Sequence, residues 1–411
     1  MLNKDGQREL AYLVMIEGIE PIPGYDRVET AIVGGWHVIV QKYQFKIGDP
    51  AIYFEIDSRV PKDKECFAFL EKRNYKVKTL KMCKTISQGL LMHPADFGWT
   101  FYLERMFDVS FQPVVIDDKG NEHRVNDESR FLTKELGVTY ADEEDNQRKA
   151  PSVDKYKKMA GRHPKIFKKP FVRWLMKRQW GKDLLFLFFG KVKDKKNNWP
   201  DWVSKTDEER VQNMPWIMED KGEWIVTEKI DGSSTTFTMK RRGRKKFDFY
   251  VCSRNVCFDS VDKPCYYETN IYWEMAQKYD MYNVMKSMLE QMPEETWITI
   301  QGETYGVGVQ RRDYSLEGHD FAAFNLITST KGRWNSCLMQ SLLEIKYNIP
   351  CVPILYTGFC FNNMTVDDLL NMAEGKSVID GLPREGLVLR STDGVKSFKA
   401  VSNSFLLKYH G

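Results

Sequence analysis

The sequence predicts an α+β protein, and three observations carry that reading. Its first third is a series of short apolar or β-branched runs broken by glycine and proline turns. Its second half alternates longer β-prone runs with helical patterns. Between them lies a stretch crowded with lysine and arginine. At 411 residues two or three domains are expected, and 42% hydrophobic with 29% charged residues is the composition of a folded globular chain. The expected division is residues 1–145 with an insertion near 101–130, a basic connector over 146–200, and a second globular domain over 201–411.

In the first domain, Leu10 to Ile19, Val28 to Val33 and Trp36 to Val40 read as strands. Pro21-Ile22-Pro23-Gly24 and Gly34-Gly35 separate them, the latter a tight hairpin pattern. Ile47-Gly48-Asp49-Pro50 turns the chain into Ala51 to Ile56, and Tyr75 to Met82 with Gly89 to Met92 completes the set. Several short strands at this spacing predict a small barrel, for which an OB-fold is the natural candidate. Lys76, Lys78 and Lys81 are expected on one face of the Tyr75 strand, either to meet nucleic-acid backbone or to protect a sheet edge. Residues 101–130 read as less regular, with a turn at Asp117 to Asn121, and Glu135-Leu136-Gly137 reads as a helix end.

From Lys155 to Lys196 there are 15 Lys or Arg against two Asp and no Glu, interleaved with Tyr156, Phe167, Phe171, Trp174 and Trp180. Phe171 to Arg178 has the pattern of a basic amphipathic helix, and Leu184 to Gly190 that of a buried strand or docking segment. Nucleic-acid binding leads, because polyanion affinity comes largely from neutralising phosphates. A membrane-surface helix and a solvated linker are the alternatives. Net charge is only +4, so any nucleic-acid face must arise from distribution. The longest apolar run, Leu184 to Phe189, is too short to span a bilayer, and the first residues carry no apolar core of a secretory signal. Eight scattered cysteines without a Cys-x-x-Cys argue against structural zinc and for a reduced cytoplasmic setting, or a nuclear one.

The second domain is organised around Trp224-Ile225-Val226-Thr227-Glu228-Lys229-Ile230-Asp231-Gly232-Ser233-Ser234. A strand ends at Lys229, Asp-Gly turns, and a second β run follows to Met239, which reads as a hairpin with its lysine at the rim. Lysine is a nucleophile only when neutral, which near pH 7 asks for a fall of roughly three pKa units, about 4 kcal/mol. A solvated surface lysine is the plainer alternative, so companions are needed. Upstream, Thr206 and Glu209 form a capping-box pattern within Lys205 to Asn213. Downstream come the strand Phe247 to Cys252 with Ser253-Arg254-Asn255, then a helix over residues 269–291. Trp297 to Gly306 carries Glu303, and Asp320 to Ile327 carries Phe324. Thr365 to Ala373 reads as a helix stopped near Gly375, Arg384-Glu385-Gly386 enters a strand, and Ser397-Phe398-Lys399-Ala400 brings a second lysine.

In this order, Lys-x-Asp-Gly-Ser, Ser-Arg-Asn, Gly-Glu, an aromatic strand, Glu-Gly and Phe-Lys resemble the covalent nucleotidyltransferases, the superfamily of ligases and RNA capping enzymes. Ser234 stands where DNA ligases and capping enzymes usually carry arginine, and the barrel-like domain stands in front rather than behind. The chain is therefore most similar to the ATP-dependent RNA ligases of the Deinococcus and Naegleria type. The resemblance covers most of residues 1–100 and nearly all of 201–411, leaving the connector and the insertion outside. It implies an N-terminal OB-like barrel and a nucleotidyltransferase domain of antiparallel sheets with flanking helices. It implies ATP, Mg²⁺ or Mn²⁺, a lysyl-AMP intermediate, and joining of RNA 3′-OH and 5′-phosphate ends, nicked duplex included, by a monomer in RNA repair.

The resemblance also assigns residues: Lys229 as nucleophile, Lys399 (or Lys396) on the α-phosphate, Asp231, Glu303 and Glu385 to the metal, Phe324 against adenine, Glu228 at its edge, Arg254 near ribose or phosphates, and Arg210, or Gln212, towards phosphates or RNA. A GTP-using capping-type guanylyltransferase and a non-catalytic RNA-binding module are the rival readings.

Overall fold

The structure is a computed structural model of the chain. It describes residues 1–140 and 199–410, less 4, 6, 83–84, 106–110, 206–207, 244–245, 259–260, 262–264, 266 and 268; between those spans it describes 170–176, 178 and 185. The chain forms two compact units, Met1–Thr139 with Trp199–Gly411, and Tyr140–Asn198.

At the front of the larger unit, Ala11–Met15 pairs antiparallel with Pro50–Phe54, which pairs with Leu90–Met92. Gly18–Pro21, Val28–Val33 and Trp36–Gln41 form a meander. Alternate residues of both sheets, including Tyr12, Val33, Trp36, Val38 and Tyr53, fill one core. Burying each such side chain contributes roughly 1.5–3 kcal/mol. The Gly34-Gly35 turn forms as predicted, both glycines at positive φ (53° and 76°), which the tight hairpin requires. The expected Leu10 to Ile19 strand divides at Ile16-Glu17, where the Ile16 N–H still bonds the Asp49 carbonyl at 3.0 Å but the Glu17 N–H passes to the Ile32 carbonyl at 2.9 Å.

Two expectations for this region are corrected. Tyr75 to Met82 is not one strand: a 3₁₀ helix over Glu65–Arg73 runs into Asn74 and Tyr75, both left-handed (φ 53° and 58°), and only Leu80–Met82 pairs as a strand. Lys76, Lys78 and Lys81 therefore do not share a strand face, and Lys81 donates instead to the Leu407 carbonyl at 2.9 Å. The insertion is more regular than its composition suggests. Thr100–Arg105, Phe111–Ile116 and Glu122–Arg124 make a three-stranded antiparallel sheet. It folds about the predicted turn, where the Asp117 carboxylate accepts from the Lys119 and Asn121 N–H groups. The short helix Thr133–Leu136 ends at Gly137 (φ 69°), as read from the sequence.

In the smaller unit the helix Pro170–Met176 lies where a basic amphipathic helix was expected. It buries Val172 and Leu175, exposes Phe171 and Trp174, and the Arg178 guanidinium sits 4.2 Å from the Trp174 ring centroid. The predicted Leu184 to Gly190 strand lies outside the described residues except for Leu185, as do Tyr156, Phe167 and Trp180.

After Trp199 the chain builds two antiparallel sheets. The four-stranded one runs in the order Ile354–Phe359, Trp224–Lys229, Gly386–Ser391, Ser397–Val401. The six-stranded one has Lys246–Ser253, Ser233–Gly243, Trp297–Gly306 and His319–Thr328 at its centre. The predicted 269–291 helix is two, Ile271–Lys278 and Met281–Gln291, because Asp280 between them is left-handed at φ 47°. Both cover the six-stranded sheet, sending Met275, Met285, Met288 and Leu289 into a core with Phe237 and Ile300. Val366–Ala373 forms where a helix was expected, capped by Thr365 and Asp368, and covers the other sheet over a separate core of Trp224, Phe361, Leu369 and Phe398. Of the capping pattern at Thr206, residues 206 and 207 lie outside the described residues; short 3₁₀ turns follow at Val211–Asn213 and Pro215–Glu219. No described helix is long and apolar enough to cross a membrane.

Gly302, next to Glu303 in the six-stranded sheet, has no room for a side chain. A Cβ there would lie 2.4 Å from the Ala322 carbonyl oxygen and 2.3 Å from the Phe321 ring. Gly302→Ala is expected to lower unfolding stability by about 3 kcal/mol, read from urea denaturation midpoints.

Candidate active site

Lys229 is the last residue of an otherwise fully buried strand, Trp224–Lys229. That strand is central in the four-stranded sheet, whereas Ser233–Gly243 is central in the six-stranded sheet. The Ile230-Asp231-Gly232 step is thus a crossing between sheets, and the expected hairpin is corrected to this. Gly232 is needed there, since a Cβ would come within 2.4 Å of the Thr304 carbonyl oxygen. A second crossing closes the far side. The Ala323 N–H donates to the Pro350 carbonyl at 2.8 Å, Val352 N–H to Ala323 at 2.9 Å, and Glu228 N–H to Pro353 at 2.9 Å.

The two crossings enclose a cavity of about 360 Å³. Thr227, Glu228, Lys229, Val388, Arg390 and Lys399 wall it from the four-stranded sheet. Ser233, Ser234, Arg254, Glu303 and Phe324 wall it from the other side. Six residues singled out from the sequence therefore face one space: Glu228, Lys229, Arg254, Glu303, Phe324 and Lys399. Glu385 lies beside them, its Oε2 accepting from Lys229 Nζ at 2.8 Å, because Gly386 stands opposite Lys229 in the ladder. Asp231 is buried within the crossing itself.

Three sequence candidates stand elsewhere. Lys396 is paired with Asp220, away from the cavity. Arg210 places its guanidinium 5.7 Å from the Trp36 ring centroid, and Gln212 is buried against the Gly34-Gly35 turn. Both lie at the seam between the barrel and the catalytic sheets, although the Arg210 backbone still bridges to Lys399.

Burial opposes charge on Lys229, but Glu385, Glu303 and Asp231 outweigh it, and the amine is held above its ordinary pKa. Burial likewise pushes the Glu303 carboxyl up to about 8; Lys229 opposes this, and Glu385 and Asp231 reinforce it. The protein alone therefore keeps Lys229 protonated, the reverse of what a nucleophile needs. Three mutually repelling carboxyl groups beside one amine are a donor set that suits a hard divalent cation. Among the described residues no three His, Cys, Asp or Glu side chains close around a common point, so such an ion would keep waters or phosphate oxygens among its ligands.

The sequence reading missed Arg390. It is 3% exposed, bonds Glu208 Oε1 at 3.1 Å, lies 5.6 Å from the Phe324 centroid, and keeps Nε and Nη1 without a protein partner. The period of two in Val388 and Arg390, both on the cavity wall, was the available clue.

Residues 222–410 match the RNA ligase family model, and residues 10–94 match an OB-fold domain model. No curated protein matches the chain by sequence. Among solved structures, the Naegleria gruberi RNA ligase with PPi is similar at 26% identity and a TM-score of 0.63, covering 98% of this chain and 99% of that one. A variant of that ligase with AMP and Mn, at 26% identity, and another with ATP and Mn, at 26%, both reach a TM-score of 0.64 over 98% of this chain and 99% of theirs. Together with the lysine-bearing cleft, these matches define a nucleotidyltransferase of the ligase class. The chain carries an RNA ligase domain over residues 222–410, with an OB-fold domain ahead of it. As an RNA ligase it has RNA as its substrate.

Because the folded-state pKa of Glu303 is raised, the stability it contributes is full below pH 4.5 and is lost as pH rises towards about 8. Glu303→Gln is expected to abolish that decline, so that thermal unfolding midpoints of variant and wild type separate progressively from about pH 4.5 to about 8, in the variant's favour.

Proposed function

We propose that the protein is an ATP-dependent RNA ligase working through Lys229, and the observation that carries this is the cleft in which Lys229 faces Lys399, Glu303 and Phe324. The Lys229 amine attacks the α-phosphorus of ATP. A nitrogen–phosphorus bond forms, the bond to the bridging oxygen breaks, and pyrophosphate leaves. An oxygen of an RNA 5′-phosphate then takes the AMP, releasing Lys229. Finally a 3′-hydroxyl attacks the activated 5′-phosphate, a phosphodiester forms, and AMP departs with the proton balance met by solvent.

Phosphoryl transfer of this kind depends on alignment and charge neutralisation. Lys399 is the cation assigned to the α-phosphate and Arg254 to the ribose or phosphates. Phe324 supplies an aromatic face for the base, with Arg390 near its ring. Asp231, Glu303 and Glu385 are the residues that would hold Mg²⁺ or Mn²⁺, directly or through water. Bound there, the ion supplies positive charge that offsets the carboxylates and so favours the neutral amine. Arg210, at the barrel seam, is the remaining candidate for the phosphates or the RNA, whereas Gln212 is buried there.

Glu228 supports ATP over the rival GTP reading. Its Oε2 accepts from the Val378 N–H at 2.8 Å, while Oε1 is buried in the cavity wall without a partner. A carboxylate oxygen of this kind suits the 6-amino donor of adenine, whereas guanine presents a carbonyl oxygen there and would leave two acceptors facing each other. The finer parts of the reading are a monomer, ends presented as 3′-OH and 5′-phosphate with nicked duplex among them, division of the chain near residues 145 and 200, and a cytoplasmic or nuclear location.

Incubation with α-labelled ATP and Mn²⁺ is expected to leave label on the denatured wild type and none on Lys229→Ala. Lys399→Ala should reduce the labelling rate by about 10²–10³-fold, while Lys396→Ala stays near wild type. Labelling by GTP in place of ATP would transfer the protein to the capping class. Retention of label in Lys229→Ala would refute the assigned nucleophile.

A further inference from the structure

The crossing that carries Lys229 is held from beneath by a residue that neither the motifs nor the cavity wall include. Tyr314 lies in the loop between the Glu303 and Phe324 strands and is 2% exposed. Its hydroxyl accepts a hydrogen bond from the Asp231 N–H at 2.6 Å. Asp231 belongs to neither strand, because the chain is leaving one sheet for the other. The phenol thus stands where a ladder carbonyl would stand within a strand.

Tyr314 is itself unusually constrained. It and Ser315 are both left-handed, at φ 56° and 55°, in a region non-glycine residues rarely occupy. Its ring sits edge-on to Tyr305, 5.0 Å between centroids, in a small apolar cluster with Ile230, Ala322 and Val352. The Arg312 guanidinium lies 4.1 Å from the same ring. Arg312 is 2% exposed, is ion-paired with Asp380, and donates to the Pro383 carbonyl two residues before Glu385. One buried pair of side chains, Arg312 and Tyr314, therefore touches the backbone that leads into Lys229's partner and the backbone that leaves Lys229. Burial raises the Tyr314 pKa, which keeps the phenol neutral and its hydrogen-bonding role unchanged over ordinary pH.

We propose that Tyr314, braced by Arg312, is a positioning residue that fixes the Lys229–Asp231 crossing and so the direction from which the lysine amine meets the α-phosphorus. This rests on the lysyl-adenylate reading above. The hydroxyl is too far down the crossing to line the nucleotide cavity, so its contribution falls on alignment rather than on ATP affinity.

The test is single-turnover adenylate formation by Tyr314→Phe, which keeps the ring and removes the acceptor. The expected result is a fall of roughly 10- to 100-fold in the rate at saturating ATP, with the ATP concentration for half-maximal rate within about threefold of wild type. Arg312→Lys, which keeps the charge and loses the fork, should fall in between. A Tyr314→Phe protein that melts earlier but adenylylates at the wild-type rate, per molecule still folded by circular dichroism, would make Tyr314 structural and overturn the proposal. So would a loss seen only in the half-maximal ATP concentration. Absence of label on wild type would instead defeat the lysyl-adenylate reading, so the two failures are separate.

Discussion

The contact between Lys229 and Glu385 is the interaction on which the site depends. It joins the ends of two neighbouring strands at the mouth of a cleft, and it holds the proposed nucleophile in its charged form. Removing one partner of a fully buried pair costs about 3–5 kcal/mol, because the other charge is left in a poor solvent, and access of water to this pair lowers that cost. The pair is partly open, with 24% of the Lys229 side chain exposed, so it is stable enough to form yet accessible to a nucleotide. The same arrangement makes the resting protein a weak nucleophile. In the proposed mechanism, bound cation and nucleotide rebalance the cluster before the amine reacts, which ties chemistry to a fully assembled complex.

Much of this was readable from the chain. Val28–Val33 and Trp297–Gly306 have the bounds their apolar patterns predicted, because each is bordered by glycine at a turn or strand end. Thr365 and Gly137 mark helix ends by side-chain capping and a left-handed backbone, both local effects. The cleft residues were legible as an ordered set, since the chemistry restricts residue type at each place. What failed were backbone reversals without a signal in composition and pairings decided far along the chain. Tyr75 to Met82 alternates like a strand, but the left-handed pair Asn74-Tyr75 closes a 3₁₀ helix first. The 269–291 pattern is continuous in apolar spacing, and nothing in it announces the reversal at Asp280. The Asp-Gly step after Lys229 has hairpin composition, yet its two strands belong to different sheets, which only the pairing of residues far apart in sequence decides.

Arg390 and Tyr314 were missed for a related reason. Arginine in a β run reads as an exposed residue, and its burial beside Glu208 follows from a partner 182 positions away. Tyr314 lies in a loop of mixed composition, and its bond to Asp231 spans 83 positions. Arg210 shows the converse: a residue expected at the phosphates is drawn against Trp36 of the barrel, because the barrel packs on this part of the chain.

The catalytic half has two interiors, one around Phe237 and Met285 and the other around Trp224 and Phe398, and the cleft runs along the join. Substitutions confined to different interiors share no neighbours, so their effects on stability combine by simple addition. The ligase fold can therefore accumulate change on one side of the nucleotide without retuning the other. Residues at the join, Ile230 and Val352 among them, have neighbours on both sides and lack that freedom. Substitutions in this protein thus act on two separately tunable interiors, divided by a narrow join at which changes on the two sides are coupled.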